Sequence, residues 1–173
     1  MMVKNAAGAL ALVGLLGLAA RSAPVLPEGL SPEVRTTAGI DRVRLVIMPL
    51  PKILHGFEIR REWIHKEFTR QLEVNGVEVA GEGEANAPIL RFVTSVFTDE
   101  SVPGAIGYVT FIALEQSVTV DRLGESFRIP TWTGAKPGMK SHAQLADGFR
   151  ATLHDTIGQF LRRSRMADFG PQG

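Results

Sequence analysis

The sequence predicts an α+β domain: a mainly antiparallel sheet of four to five strands with two amphipathic helices on one face, in the order β-α-β-β-β-β-α. Two stretches carry apolar residues at helical spacing, Phe57, Ile64, Phe68 and Leu72, then Leu145, Phe149, Leu153, Ile157, Phe160 and Leu161. Between them lie short apolar or alternating runs separated by Gly, Pro, Asn and Asp signals, the pattern of strands and turns. Two striped helices and several half-apolar strands bury most surface when the helices form one layer on the sheet. No internal repeat is visible.

The chain starts with one basic residue, Lys4, before an uncharged run of Ala, Leu, Gly and Val from Ala6 to Ala20. Gly17-Leu18-Ala19 and Ala20-Arg21-Ser22 both offer small residues at cleavage-site spacing, so residues 1–23 read as a secretory signal peptide. The run is shorter than the roughly 20 residues that span a bilayer, which leaves an uncleaved anchor as the alternative. Pro24, Pro27 and Pro32 mark 24–41 as an extended linker. A single domain is expected over 42–165 and a disordered tail over 166–173.

Val43 to Met48 is nearly continuous in apolar residues, as a central strand is, and Pro49 and Pro51 end it. Phe57 to Val74 reads as the first helix. Arg60, Arg61, Lys66 and Arg70 alternate with Glu58, Glu62 and Glu67 on its outer side, a solvated face, and Asn75-Gly76 is its stop. Val77 to Val79 is a short strand and Gly81 to Asn86 a polar turn. Ile89 to Phe97 follows as a strand, with Leu90, Phe92 and Val96 on one face. Thr98 to Ile106 is a long connection. Tyr108 to Val120 is the longest strand, its apolar parity interrupted by Thr110 and Gln116. Asp121 to Gly124 is a hairpin turn, and Glu125 to Thr133 returns from it. Pro130 places that strand at an edge or a bulge. Gly134 to Lys140 reads as a loop. Ser141 and Gln144 form a capping box for the last helix, which Arg162, Arg163 and Arg165 close at its negative end.

Composition narrows the class. With 173 residues, 45% hydrophobic and 21% charged, the chain has the make-up of a globular protein with one core. The net charge is +1; without Lys4 and Arg21 the balance is 17 basic against 18 acidic residues. No global field draws such a chain to nucleic acid. There is no cysteine, which excludes disulfides, thiolate metal sites, a cysteine nucleophile and a thioether lipid anchor.

The Ile47-Met48-Pro49 strand end, the helix finishing Gln71-Leu72-Glu73-Val74-Asn75-Gly76, the short Val77-Glu78-Val79 strand and the Ala85-Asn86-Ala87-Pro88-Ile89-Leu90 opening of a longer strand together resemble the small α+β modules of bacterial envelope proteins. Examples are the N-terminal domain of the Tol–Pal system's TolB protein, the lipopolysaccharide-assembly lipoprotein LptE and the periplasmic domain of the curli secretion channel. The resemblance covers about Arg42 to Arg163. It implies a binding or assembly role at the outer membrane and brings no catalytic residues. The chain departs from the lipoprotein members in having no lipidated Cys, and from the Tol protein in having no length for a propeller.

No catalytic motif emerges. His55, His65, His142 and His154 include no pair four apart and no H-E-x-x-H. Ser95, Ser101, Ser117 and Ser126 lie outside any G-x-S-x-G elbow, and Gly81-Glu82-Gly83 lacks the rest of a dinucleotide fingerprint. Asp99-Glu100 and Asp121 are too sparse for a calcium loop. Asp147 and His154 share a helix face and are the one pair that a small periplasmic hydrolase would use. Phe92, Phe97, Tyr108, Phe111, Phe127 and Trp132 are read as core residues, since no basic residues interleave with them.

In a meander, the 98–106 connection and the 134–140 loop fall at one end of the sheet. Val102, Ile106 and Met139 give them apolar tips; Asp99, Lys136 and Lys140 give charge. Paired loops on a rigid scaffold make a recognition edge. The expectation is a periplasmic envelope module without enzymatic activity or cofactor, binding an envelope protein or lipid, peripheral to a membrane, and not binding nucleic acid. The sequence sets no oligomeric state. A carrier that holds a hydrophobic ligand between helices and sheet is a further alternative.

Overall fold

The structure, a computed structural model, describes residues 31–81 and 83–169. The expected signal peptide and residues 24–30 of the expected linker lie outside them. The elements are α1 (Pro32–Arg35), β1 (Arg42–Ile47), α2 (Lys52–His55), α3 (Arg61–Val74), β2 (Glu78–Val79), β3 (Ile89–Thr98), β4 (Ala105–Val120), β5 (Glu125–Ser141) and α4 (Leu145–Phe169), with a 3-10 turn, His142–Gln144, before α4. The strands form one sheet in the order β2-β1-β3-β4-β5. The expected α+β architecture is observed, and the sheet is mixed. β1 pairs in parallel with both β2 and β3, whereas β3, β4 and β5 are antiparallel with long registers. The parallel pairs follow from α3, which carries the chain back across the sheet between β1 and β2.

Alternation along the strands separates two faces. Ile47, Phe92, Ile112 and Leu114 point to the side on which α3 and α4 lie, and all are buried. Phe68 of α3 meets Phe92 at 5.4 Å between ring centroids. Phe149 of α4 meets Tyr108 at 5.5 Å, and Phe160 meets Trp132 at 5.6 Å. The space between helices and sheet is thus filled by side chains.

Thr110, a break in the apolar parity, is buried for a reason the sequence does not display. A polar seam joins α4 to β4. The Thr152 hydroxyl donates to Gly148 O (2.9 Å) and that of Thr156 to Thr152 O (2.7 Å). Each helical hydroxyl is then left to accept one hydrogen bond from the sheet, from Tyr108 (3.0 Å) and from Thr110 (2.8 Å). Every buried hydroxyl in the seam has a partner, the condition under which it costs little to bury.

Several expectations are corrected. Residues 134–140 are strand, not loop: β5 continues to Ser141, and its loop-like residues have structural roles. A Cβ on Gly138 would lie 2.3 Å from the Tyr108 ring, and one on Gly134 2.9 Å from Trp132. Pro137 pairs with Val109 on an edge strand, where its missing N–H does not interrupt the sheet. The first helix begins at Arg61, because Glu58 has φ 59 and breaks the run; Phe57 packs instead on His142 at 4.5 Å. The capping box gives way to the 3-10 turn, where the Ser141 hydroxyl meets the Gln144 side chain. Within the expected linker, α1 is helical and buries Val34. α4 runs to Phe169, four residues into the expected tail, because Ser164 and Ala167 are buried and the Ser164 hydroxyl bonds Thr37 O. Of the six aromatics read as core, Phe92, Tyr108 and Trp132 are buried, but Phe97, Phe111 and Phe127 are 51%, 36% and 42% exposed. Phe97 and Phe111 sit at the opposite parity, on the face that no helix among the described residues covers.

Candidate partner-binding edge

The turn from β3 to β4 is built from Asp99 to Gly104. The Asp99 carboxylate accepts from the Ser101 hydroxyl (2.7 Å) and backbone N–H (2.8 Å), and these two bonds, the hydroxyl foremost, hold its pKa below the ordinary value. Gly104 takes φ 79, and its carbonyl accepts from His142 N–H, tying the turn to the start of the α4 segment. The turn is therefore held both from within and from the α4 segment.

Two adjoining hollows share Pro103, Gly104 and Ala105. The larger, about 470 Å³, is walled by Ile53, Ile106 and His142, with Asp99 and Glu100 at its rim. The smaller, about 310 Å³, lies towards Met139, Lys140 and Gln144. Exposed Ile53 lines the larger and exposed Met139 the smaller, and exposed Phe97 and Val102 adjoin the lining residues Thr98 and Pro103 in the chain. This arrangement suits an apolar side chain flanked by charge. Among the described residues, no group of three or more His, Asp or Glu is placed to hold a metal ion.

The six residues singled out from the sequence are only partly brought together. Asp99 and Val102 are on the turn. Ile106 is no exposed tip: it is buried at the start of β4 and pairs with Lys140. The Lys140 stem lies across Gly148 of α4, on the helix side. Met139 pairs with Gly107, across from Phe97, and so belongs to the bare face. Lys136 does not join the edge. It pairs with Thr110, about 13 Å of strand away from Lys140, and its ammonium lies 3.9 Å from Asp155. Two edge residues were missed. Phe97 was detectable, because its parity opposes Leu90, Phe92 and Val96. Ile53 was not, because Pro51 hid the one-turn α2.

The Asp147 and His154 pair is engaged elsewhere. Asp147 is exposed and faces Arg150 at 3.6 Å. His154 Nδ1 meets Gln71 at 2.7 Å, and its Nε2 is 3.4 Å from Glu67 of α3.

No protein-family model matches the chain, and no curated protein matches it. Solved structures give distant likenesses. A minor lipoprotein from Acinetobacter baumannii is 12% identical with a TM-score of 0.42, covering 75% of this chain and 91% of that one. Lipoprotein B from Nitrosomonas europaea is 15% identical with a TM-score of 0.36, over 82% and 92%. The rare lipoprotein B from Shewanella oneidensis is 11% identical with a TM-score of 0.26, over 73% and 89%. With scores below 0.5, these likenesses carry no inference about what this chain does.

Proposed function

We propose that the protein is an exported, non-catalytic binding module of the bacterial cell envelope, which presents the β3–β4 end of its sheet to a protein partner. The observation that carries this reading is a turn fixed by its own hydrogen bonds beside two adjoining hollows, one lined by exposed Ile53 and the other by exposed Met139, with exposed Phe97 and Val102 next to their lining residues in the chain. Exposed apolar side chains gathered at one rigid place mark an interaction surface more often than singly scattered ones do. Export rests on the basic, apolar and small-residue order of residues 1–23.

The test is site-specific photocrosslinking in intact cells. A photoreactive side chain at Val102 or Met139 is expected to give one shared adduct, and the same group at Ser126, at the other end of the sheet, none. Val102→Asp together with Met139→Asp should abolish capture by a probe at Phe97. Identical labelling from all three positions, or a full-length protein that stays in the cytoplasm, defeats the reading.

A further inference from the structure

The outer part of the β4–β5 hairpin is a second apolar surface, at the opposite end of the sheet. Between Leu114 and Glu115 the register shifts by one residue: Leu114 pairs with Trp132, but Glu115 pairs with Pro130, so Thr131 is extra. This bulge changes which β5 residues face the helix side. Below it Trp132 and Gly134 do; beyond it Ile129 and Phe127 do, opposite Gln116 and Val118. The outer ribbon is therefore amphipathic. Val118, Val120, Phe127 and Ile129 line one face together with Gln116 and Glu125, and Ser117, Thr119, Ser126 and Arg128 line the other. Phe127 and Ile129 are each 42% exposed, and Leu123 in the turn is 52% exposed. A two-stranded ribbon is marginal in water by itself, and this one leaves its apolar face uncovered among the described residues.

We propose that this ribbon lies against a lipid bilayer, with Phe127, Ile129 and Leu123 among the acyl chains near the headgroups. Two observations select the bilayer. The first is where the chain enters. α1 is fastened at the root of the ribbon, where the Thr36 hydroxyl donates to Thr131 O, and the residues before Ser31 join it there. Those residues include the apolar run Ala6–Ala20, and only ten residues separate that run from Ser31. Ten extended residues reach at most about 35 Å, so where the run stays as an uncleaved membrane anchor the root of the ribbon lies within that distance of the bilayer, close enough for the ribbon to touch it. The second is area. The outer ribbon is about 10 Å wide and 17 Å long on one face, far below the roughly 800 Å² per partner of a stable dimer. The charges at the tip, Asp121, Arg122 and Glu125, are mixed, so contact is apolar in origin and only weakly dependent on salt. The inference does not depend on the proposed protein partner: the surface it uses is at the other end of the sheet.

The absence of cysteine makes the test direct. Single cysteines at Phe127→Cys, Ser126→Cys and Val102→Cys in the full chain carry an environment-sensitive fluorophore, and urea midpoints confirm that each labelled protein is folded. On vesicles of phosphatidylethanolamine and phosphatidylglycerol, the probe at 127 should move to the blue and brighten several-fold. Its neighbour at 126, on the polar face, and the distant probe at 102 should change little. An unchanged probe at 127 overturns the proposal. So do equal shifts at 126 and 127, which mean association without a preferred face. A probe at 127 that is already blue in buffer also overturns it, because a second copy or the chain before Ser31 then covers the ribbon.

Discussion

The two halves of the β4–β5 hairpin obey the same alternation and meet different fates. In the inner half, residues 105–114 and 132–141, α4 answers the helix-side positions one after another: Tyr108 with Phe149 and Thr152, Thr110 with Thr156, Trp132 with Phe160. In the outer half the same face carries Val118, Phe127 and Ile129, and nothing described covers them. The cause is length. α4 has 25 residues, about 38 Å at helical rise. β4 has 16 residues, about 53 Å at strand rise. The strand exceeds the helix by roughly 15 Å, and past Phe160 the last turns of α4 pack on the α1 segment, where Ser164 bonds Thr37 O, instead of on the ribbon. Alternation decides which face is apolar; the length of the facing layer decides whether that face is covered.

Truncating an aromatic in each half gives the largest expected contrast. Phe160→Ala, fully buried against Trp132, should cost about 3–5 kcal/mol in urea unfolding. Phe127→Ala should stay within about 0.5 kcal/mol, since it removes little buried contact. Similar losses at the two sites would mean that the ribbon is covered.

The next contrast sets the two faces of the inner half against each other. A Cβ on Gly138 meets Tyr108, which is fully buried and hydrogen-bonded to Thr152; one on Gly107 meets the ring of Phe97, which is half exposed. Both built contacts are impossibly short, at 2.3 and 2.1 Å, but only Phe97 has room to turn away. Gly138→Ala should therefore cost about 2 kcal/mol by overpacking, with a much smaller change for Gly107→Ala. A smaller loss, about 1 kcal/mol, is expected for Thr156→Val, which leaves the Thr110 hydroxyl with only its long 3.3 Å bond to Lys136 O in the buried seam.

The elements that the sequence displayed are those whose local signal and burial agree. The stripe Leu145, Phe149, Leu153, Ile157 identified α4, and Leu90, Phe92, Val96 identified the covered face of β3, because tertiary packing uses that periodicity. The signal misled where a residue type had a second cause. Gly134, Pro137 and Gly138 read as a loop, yet the glycines make room for rings from neighbouring positions and the proline sits on an open edge. Glycine chosen for space and glycine chosen for a turn look alike in a sequence. The candidate edge was legible in its turn, Asp99 to Gly104. It was not legible in Ile53 or in the opposite faces of Met139 and Lys140, which depend on the register of β5. The bulge that re-aims Phe127 leaves one trace, Pro130.

At the junction of the two halves, on the bare face, Arg91 donates to both Glu115 oxygens, at 2.6 and 2.9 Å, and this pair offers the smallest test. The Arg91 hydrogen bonds, opposed in part by burial, hold the Glu115 carboxyl below its ordinary pKa. A carboxyl depressed on folding contributes stability that is fully present above its unfolded pKa, about 4.3, and that is lost as pH falls through the lower folded value. Glu115→Gln should cost about 1 kcal/mol at neutral pH. It should also flatten, without abolishing, the fall in urea midpoint below about pH 5. Some slope remains because Glu67 is depressed in the same direction by its hydrogen bond from Arg70. If the acid slope of the variant matched that of the parent, the pair would not be what fastens the ribbon's root to the body, and the bulge, the Thr36–Thr131 bond and the Arg128 bonds to Ala85 O and Ala87 O would be left to do it.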